Sequence, residues 1–465
     1  RHPCVSKAGE TLPFNFSKPW RGAHVTYADA RAGRRGRLVH VVLAASTTGV
    51  ARAVAVGGQL MLVPFMLDGL GAERYGAWAA LSAALALAPG LDLGAGFALL
   101  AHVSRGVGRN DTLAQRRAIA AALQLLWGLI PFFGLSLLSV VWYRQGGDAT
   151  PLSEPWSAGA LGAALTIVAL PISISPRVCI ALRHGAAAGL FALLGSLATL
   201  GGSILSLRAG WGLRGLAVAT VGGMVLANVG CAVHLFGWRH PELRPTLRAD
   251  LAVERRALGR DMAFFSVLYA SNWAGSTGDA LLVQMDLGNQ AAAQFAVVQQ
   301  WMLLPAQAAT LFVQPLSAAF AEAWGRNDIT WCRSTLQRVA PVAALSAVLA
   351  GLGVAGLSRA LIPSWSHGAL RADTPLLLGL VVSGTFVTAG AVASAFLNAV
   401  GMLKAQVWMA CALIPTSLAA KWLAMEHTGI TGIGWAYALC YFACVGVPYA
   451  RSIPGILAAR ERELA

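Results

Sequence analysis

Apolar runs long enough to cross a bilayer recur from one end of this chain to the other, and that recurrence leaves few folds open. Twelve spans can be placed, near residues 39–66, 76–102, 117–142, 158–182, 187–207, 213–237, 263–285, 292–320, 339–361, 374–399, 404–424 and 430–450. A run of 18 or more apolar residues reads as a transmembrane helix. In hydrocarbon the backbone must satisfy its own polar groups, which favours helices. Charged residues make up 12% of the 465 residues, about half the ~25% usual in soluble domains. The sequence therefore predicts an all-α polytopic membrane protein of about twelve transmembrane helices.

The chain also reads as a duplication. Gly108-Arg109-Asn110-Asp111 returns as Gly325-Arg326-Asn327-Asp328, 217 positions later. At the same offset Leu70-Gly71 falls on Leu287-Gly288 and Arg116 on Arg333, with no gap between the anchors. Two pseudo-symmetric six-helix lobes follow, with the substrate path between spans 1–2 and 7–8. The expected division is a basic arm over 1–37, an N-lobe over 38–238, a linker over 239–262, a C-lobe over 263–450 and a tail over 451–465. Gly and Asn in the repeated block allow a turn, and its Asp can cap the next helix.

Orientation comes from the basic residues. The loops on the side of the N-terminal arm hold 26 Lys and Arg, against seven on the other side. That bias places both termini and the linker in the cytoplasm. It also accounts for the net charge of +15 without nucleic acid as a partner. The seven cysteines have no metal-binding or CxxC spacing and read as small apolar packing groups. No nucleotide-binding P-loop, HExxH or GxSxG motif appears. External loops are too short for a catalytic domain. We expect no enzyme, no catalytic residue, no metal and no cofactor.

Charges inside spans are the default site residues, because a central charge costs about 2.5–3.5 kcal/mol on insertion scales. Arg52 lies in the middle of span 1 and could grip a phosphate by two parallel hydrogen bonds, or pair with an acid on a neighbouring helix. Asp92 lies in Pro89-Gly90-Leu91-Asp92-Leu93-Gly94, which suggests a broken helix. It could take a cation or proton, or partner Arg52. Asp279, after Gly275-Ser276-Thr277-Gly278, is a second candidate for H⁺ or Na⁺ coupling. In span 8, Gln300, Gln307 and Gln314 share a helix face and suit sugar hydroxyls or plain interhelical bonds. Arg177 reads as a positive-inside anchor, and Lys421 in span 11 as a side chain snorkelling outward.

Leu70-Gly71-Ala72-Glu73-Arg74-Tyr75-Gly76-Ala77-Trp78, Leu91-Asp92-Leu93-Gly94-Ala95-Gly96 and Ala293-Gln294-Phe295-Ala296 carry a resemblance. The chain from about 38 to 450 resembles the polysaccharide-transporter family of the multidrug/oligosaccharidyl-lipid/polysaccharide exporter superfamily. Its O-antigen and capsule repeat-unit flippases are the nearest in pattern. The resemblance implies a bacterial inner-membrane flippase for undecaprenyl-pyrophosphate-linked oligosaccharide, rocking between two access states and driven by H⁺, Na⁺ or membrane potential. Its partners would be membrane lipids and other polysaccharide-assembly membrane proteins. It implies Arg52 at the pyrophosphate, the span 8 amides at sugar and Asp92 or Asp279 as coupling acids. The alternatives are a cation-coupled multidrug exporter of the same superfamily and a membrane-embedded glycan polymerase or ligase.

Overall fold

The computed structural model describes residues 27–464, apart from 88–89, 91, 109–110, 146–152, 183, 246–250, 307–315, 318, 321–322, 325–326, 367 and 369. The described chain is helical throughout. The N-lobe contains α1 (Tyr27–Leu85), α2 (Ala95–Gly108), α3 (Thr112–Arg144), α4 (Glu154–Ala169), α5 (Ser175–Ala181), α6 (Gly185–Arg208) and α7 (Gly212–Ala232). The C-lobe contains α8 (Ala252–Asn272), α9 (Asp279–Met302), α10 (Ile329–Trp365), α11 (Thr374–Ala399), α12 (Leu403–Thr428), α13 (Ile433–Tyr441) and α14 (Val447–Leu464). α1 begins inside the segment read as a basic arm, and residues 1–26 lie outside the described chain.

Eight helices among the described residues are long and apolar enough to cross a membrane. Several are continuous where the sequence suggested two spans. α1 runs through span 1 and into the first part of span 2 with a sharp bend at Gly71, and α12 to α14 form a single apolar stretch over spans 11 and 12. The outer helices show the inside-out pattern of a bilayer solvent. On α3, Phe132, Leu135, Leu138 and Trp142 are exposed, and on α10 so are Leu345 and Leu349. Apolar surface on this scale fits lipid rather than water.

The duplication is visible in the backbone. Gly71 (φ 79°) bends α1, and Gly288 (φ 84°), 217 residues later, bends α9. Glycine alone takes this left-handed conformation at little cost, which explains why the Leu-Gly anchor recurs. Asp111 accepts a hydrogen bond from Ala114 N (2.8 Å) and Asp328 one from Trp331 N (3.0 Å), so each carboxylate caps the next helix. Gly212 and Gly429, again 217 apart, have φ values of 58° and 60°. The repeated Arg also keeps its place: Arg116 donates to Arg244 O (2.9 Å), and Arg333 reaches Glu461 (2.9 Å), at matching positions.

The lobes meet in two ways. Beyond the glycine bends α1 packs along α9. Gly76 lies directly against the Asn289 carbonyl, where a Cβ would collide with it. Deeper in, α8 and the first residue after it supply donors to the N-lobe. Tyr269 OH donates to Ala86 O (2.6 Å) and Trp273 Nε1 to Ala83 O (2.8 Å). These bonds satisfy carbonyls freed where the second span breaks, an obligation that lipid cannot meet. At the end of the bundle that carries the two Asp caps, His102 meets Asp261 (3.1 Å) and Arg117 meets Glu254 (3.6 Å), again between α2–α3 and α8.

Candidate functional site

The most deeply buried ion pair among the described residues lies in the C-lobe. Lys421 on α12 is 0% exposed and Asp279 at the start of α9 is 3% exposed. The Lys421 Nζ donates to Asp279 Oδ1 (2.5 Å) and to the carbonyls of Ala274 and Gly275 (2.9 Å each). The Tyr437 ring lies 4.6 Å away, centroid to Nζ. Outward snorkelling of Lys421 is therefore corrected: its ammonium points into the lobe. The reason is local. Residues Trp273–Thr277 form a π-turn in which Gly278 N bonds to Trp273 O (2.8 Å). An α-helix would have sent that N–H to Ala274 O. The freed carbonyl, the helix N-terminus at Asp279 and its carboxylate then make a polar pocket in an apolar lobe.

Gln299 joins this pair to the space between the lobes. Its Nε2 donates to Ser276 O (2.8 Å) and lies 3.4 Å from Asp279 Oδ2. Gln299 lines two cavities. One, of about 80 Å³, also touches Asn272, Ser276, Asp279 and Tyr437. The other, of about 460 Å³, lies between α1, α6 and α7 of the N-lobe and α9 of the C-lobe, with Gln59, Thr199, Ser203, Thr220 and Gln300 among its polar groups. So Gln300 is placed on a cavity wall, while Gln307 and Gln314 lie outside the described residues.

A larger space, about 850 Å³, lies between α2 of the N-lobe and the C-lobe helices α8, α11, α12, α13 and α14. Its wall carries aromatic and neutral polar side chains, including Tyr437, Tyr441, Tyr449, Asn398 and Gln406, and no charged group among the described residues. Tyr437 and Asn272 belong to both this space and the small cavity at Asp279. The three tyrosines share one face for a structural reason. Four-residue steps overshoot an α-helical turn by about 40° each, so three steps drift about 120°. A second π-turn at Phe442–Gly446 takes up one residue, about 100° of rotation, and brings Tyr449 back into line.

Asp92 and Arg52 are not brought together. The second span does break, between α1 and α2, with Leu93 (φ 50°) and Gly94 (φ 71°) in the left-handed region. Asp92 accepts from Gly94 N (2.8 Å) and Gly96 N (3.1 Å), which caps α2. Its charge partner is Arg177 on α5, whose guanidinium stacks 4.1 Å from the Phe97 ring centroid. The partnership with Arg52 is thus replaced by one with Arg177, which also has more to do than anchor a loop. Arg52 is exposed on α1.

No protein-family model matches the sequence, and no characterised protein matches it by sequence. Solved structures do match the fold. An inward-facing multidrug resistance MATE family transporter of the MOP superfamily superposes with a TM-score of 0.68 at 13% identity, covering 92% of this chain and 100% of the other. The fold is a MATE-like transporter fold. An outward-facing multidrug resistance MATE transporter gives 0.60 at 15% identity, covering 89% and 97%. A MOP superfamily transporter from Pyrococcus furiosus, described by the reversed polarity of its binding pocket, gives 0.58 at 13% identity, covering 91% and 96%. The fold that the sequence resemblance implied is thus the fold seen. The inward- and outward-facing structures are those of multidrug transporters, whereas the sequence pattern pointed to polysaccharide flippases.

Proposed function

We propose that the protein is an ion-coupled secondary transporter that exports an amphipathic organic molecule by alternating access. The carrying observation is the tyrosine-lined space of about 850 Å³, with no charged side chain among its described lining residues, which shares Tyr437 with the buried Asp279–Lys421 pair. An apolar wall with a few fixed polar groups is the usual make-up of a small-molecule site. Asp279 acts as the coupling acid, because any change in its charge must alter the hold on Lys421 and on the Tyr437 wall. In proteoliposomes, efflux of a fluorescent amphipathic substrate driven by an imposed proton or sodium gradient should be strong for the native chain. It should be absent for Asp279→Asn. Gradient-driven efflux that persists in that variant would remove Asp279 from coupling.

A second reading keeps the lipid-linked oligosaccharide as substrate. The amide and hydroxyl groups of the cavity between α1, α6, α7 and α9, Gln299 and Gln300 among them, support it by suiting sugar hydroxyls. In that reading Arg52 holds the pyrophosphate. Loss of surface polysaccharide on deletion, restored by the native gene but not by Arg52→Ala, would select it over the drug-like substrate.

A further inference from the structure

The Lys421 ammonium has the surroundings of a bound metal cation. Its three hydrogens can each point to an oxygen, and the oxygens are two main-chain carbonyls and a carboxylate, at 2.9, 2.9 and 2.5 Å. Carbonyls released where a membrane helix is interrupted, joined by an acidic side chain, are the ligand set that coordinates alkali cations in transporters. A tyrosine face closes one side. The small cavity beside Asp279, with Ser276 and Gln299 on its wall, gives room for water or further oxygen ligands.

We propose that Lys421 is a tethered cation that fills an alkali-metal site formed by Ala274 O, Gly275 O and the Asp279 carboxylate. The side chain supplies the positive charge that Na⁺ or K⁺ would otherwise bring. The native protein consequently binds neither ion there, and the proton is left as the ion that Asp279 can exchange. Truncating Lys421 opens the site. The pseudo-equivalent region of the N-lobe has no such site, since Leu62 stands where Asp279 does and Ile204 where Lys421 does. This extends the coupling role given to Asp279 above, but its readout is equilibrium binding. A chain that transports nothing could still show it, so the two readings fail separately.

The test is thermal unfolding of purified Lys421→Ala in detergent, followed by tryptophan fluorescence. NaCl or KCl replaces choline chloride at constant ionic strength. A ligand that binds only the folded state raises the melting temperature in a saturable way. Lys421→Ala should gain a few degrees in NaCl or KCl over choline. The native protein, Lys421→Arg and the double variant Asp279→Asn/Lys421→Ala should melt alike in all three salts. If Lys421→Ala unfolds in choline, its recovery as a monodisperse species in NaCl or KCl supports the proposal. Recovery in no salt, or one melting curve in every salt, overturns it. So does a saturable alkali-cation response of the native protein that Asp279→Asn abolishes.

Discussion

The two lobes share a backbone plan and differ in what they bury at one matched spot. In the C-lobe Asp279 and Lys421 form an ion pair out of contact with solvent. In the N-lobe the positions 217 residues earlier are Leu62, in the apolar core, and Ile204, partly buried and packed against it. The C-lobe π-turns at Trp273–Thr277 and Phe442–Gly446 also fall on plain α-helix at 56–60 and 225–229. Bends, caps and the Arg116 and Arg333 contacts come in pairs, whereas the buried Asp279–Lys421 pair and the π-turn beside it have no counterpart at the matched positions. A duplicated scaffold thus carries apolar packing at one copy of this spot and a buried charge pair at the other.

The comparison can be broken most forcefully at the ion pair. Either Asp279→Leu or Lys421→Ile leaves one buried charge without its partner, which should cost about 3–5 kcal/mol. Making both changes copies the N-lobe. That double variant should lie within about 1 kcal/mol of the native protein or exceed it in stability, while gradient-driven transport is lost. Chemical denaturation set beside proteoliposome flux reads both. A double variant as unstable as the singles would mean that the lobes are not interchangeable here.

The next effect concerns the contact between lobes. Gly76→Leu must push the Asn289 carbonyl away, an overpacking cost of about 1–3 kcal/mol. Crosslinking between cysteines placed on α1 and α9 should slow in proportion. Ala293, the residue matching Gly76, sits in the apolar cluster that holds Tyr75 and Ala77, and Ala293→Gly should leave crosslinking unchanged. Helix caps give a smaller and symmetric effect. Asp111→Ala and Asp328→Ala should each lose about 1 kcal/mol in denaturation, and a large inequality would show that one block does more than cap.

The smallest effect is expected at the surface. His240 donates to Glu242 (2.9 Å), and that hydrogen bond holds the Glu242 carboxyl below its ordinary range. A depressed carboxylate contributes stability above its unfolded pKa and loses it as pH falls through the folded one. Native protein and Glu242→Gln should therefore converge in melting temperature on acidification below pH ~4. A gap that widens there would reverse the assignment.

Much of the scaffold could be read from residues alone. Leu-Gly and Asn-Asp recur because a left-handed bend and a helix cap are each demanded by few residue types. Asp92 in its glycine-rich surroundings correctly marked a broken span, yet its role as a cap with Arg177 needed the position of α5. Asp279 was visible as a charge in an apolar run, but its partner was not. A lone Lys on an apolar helix looks the same whether it reaches the membrane surface or turns inward, and 142 residues separate the pair. A usable signal existed in the repeat itself, because at the same offset Asp279 meets Leu62 and Lys421 meets Ile204, two departures that fall together.

The π-turn at Phe442–Gly446 acts as a one-residue clutch in the last membrane-crossing stretch. Removing a residue from it would restore ordinary winding and turn everything downstream by about 100°. Tyr449 would leave the cavity wall and its bond to Ser394, while Tyr437 and Tyr441 stayed in place. A single deletion, more than any substitution, would thereby swing one third of the tyrosine face toward lipid.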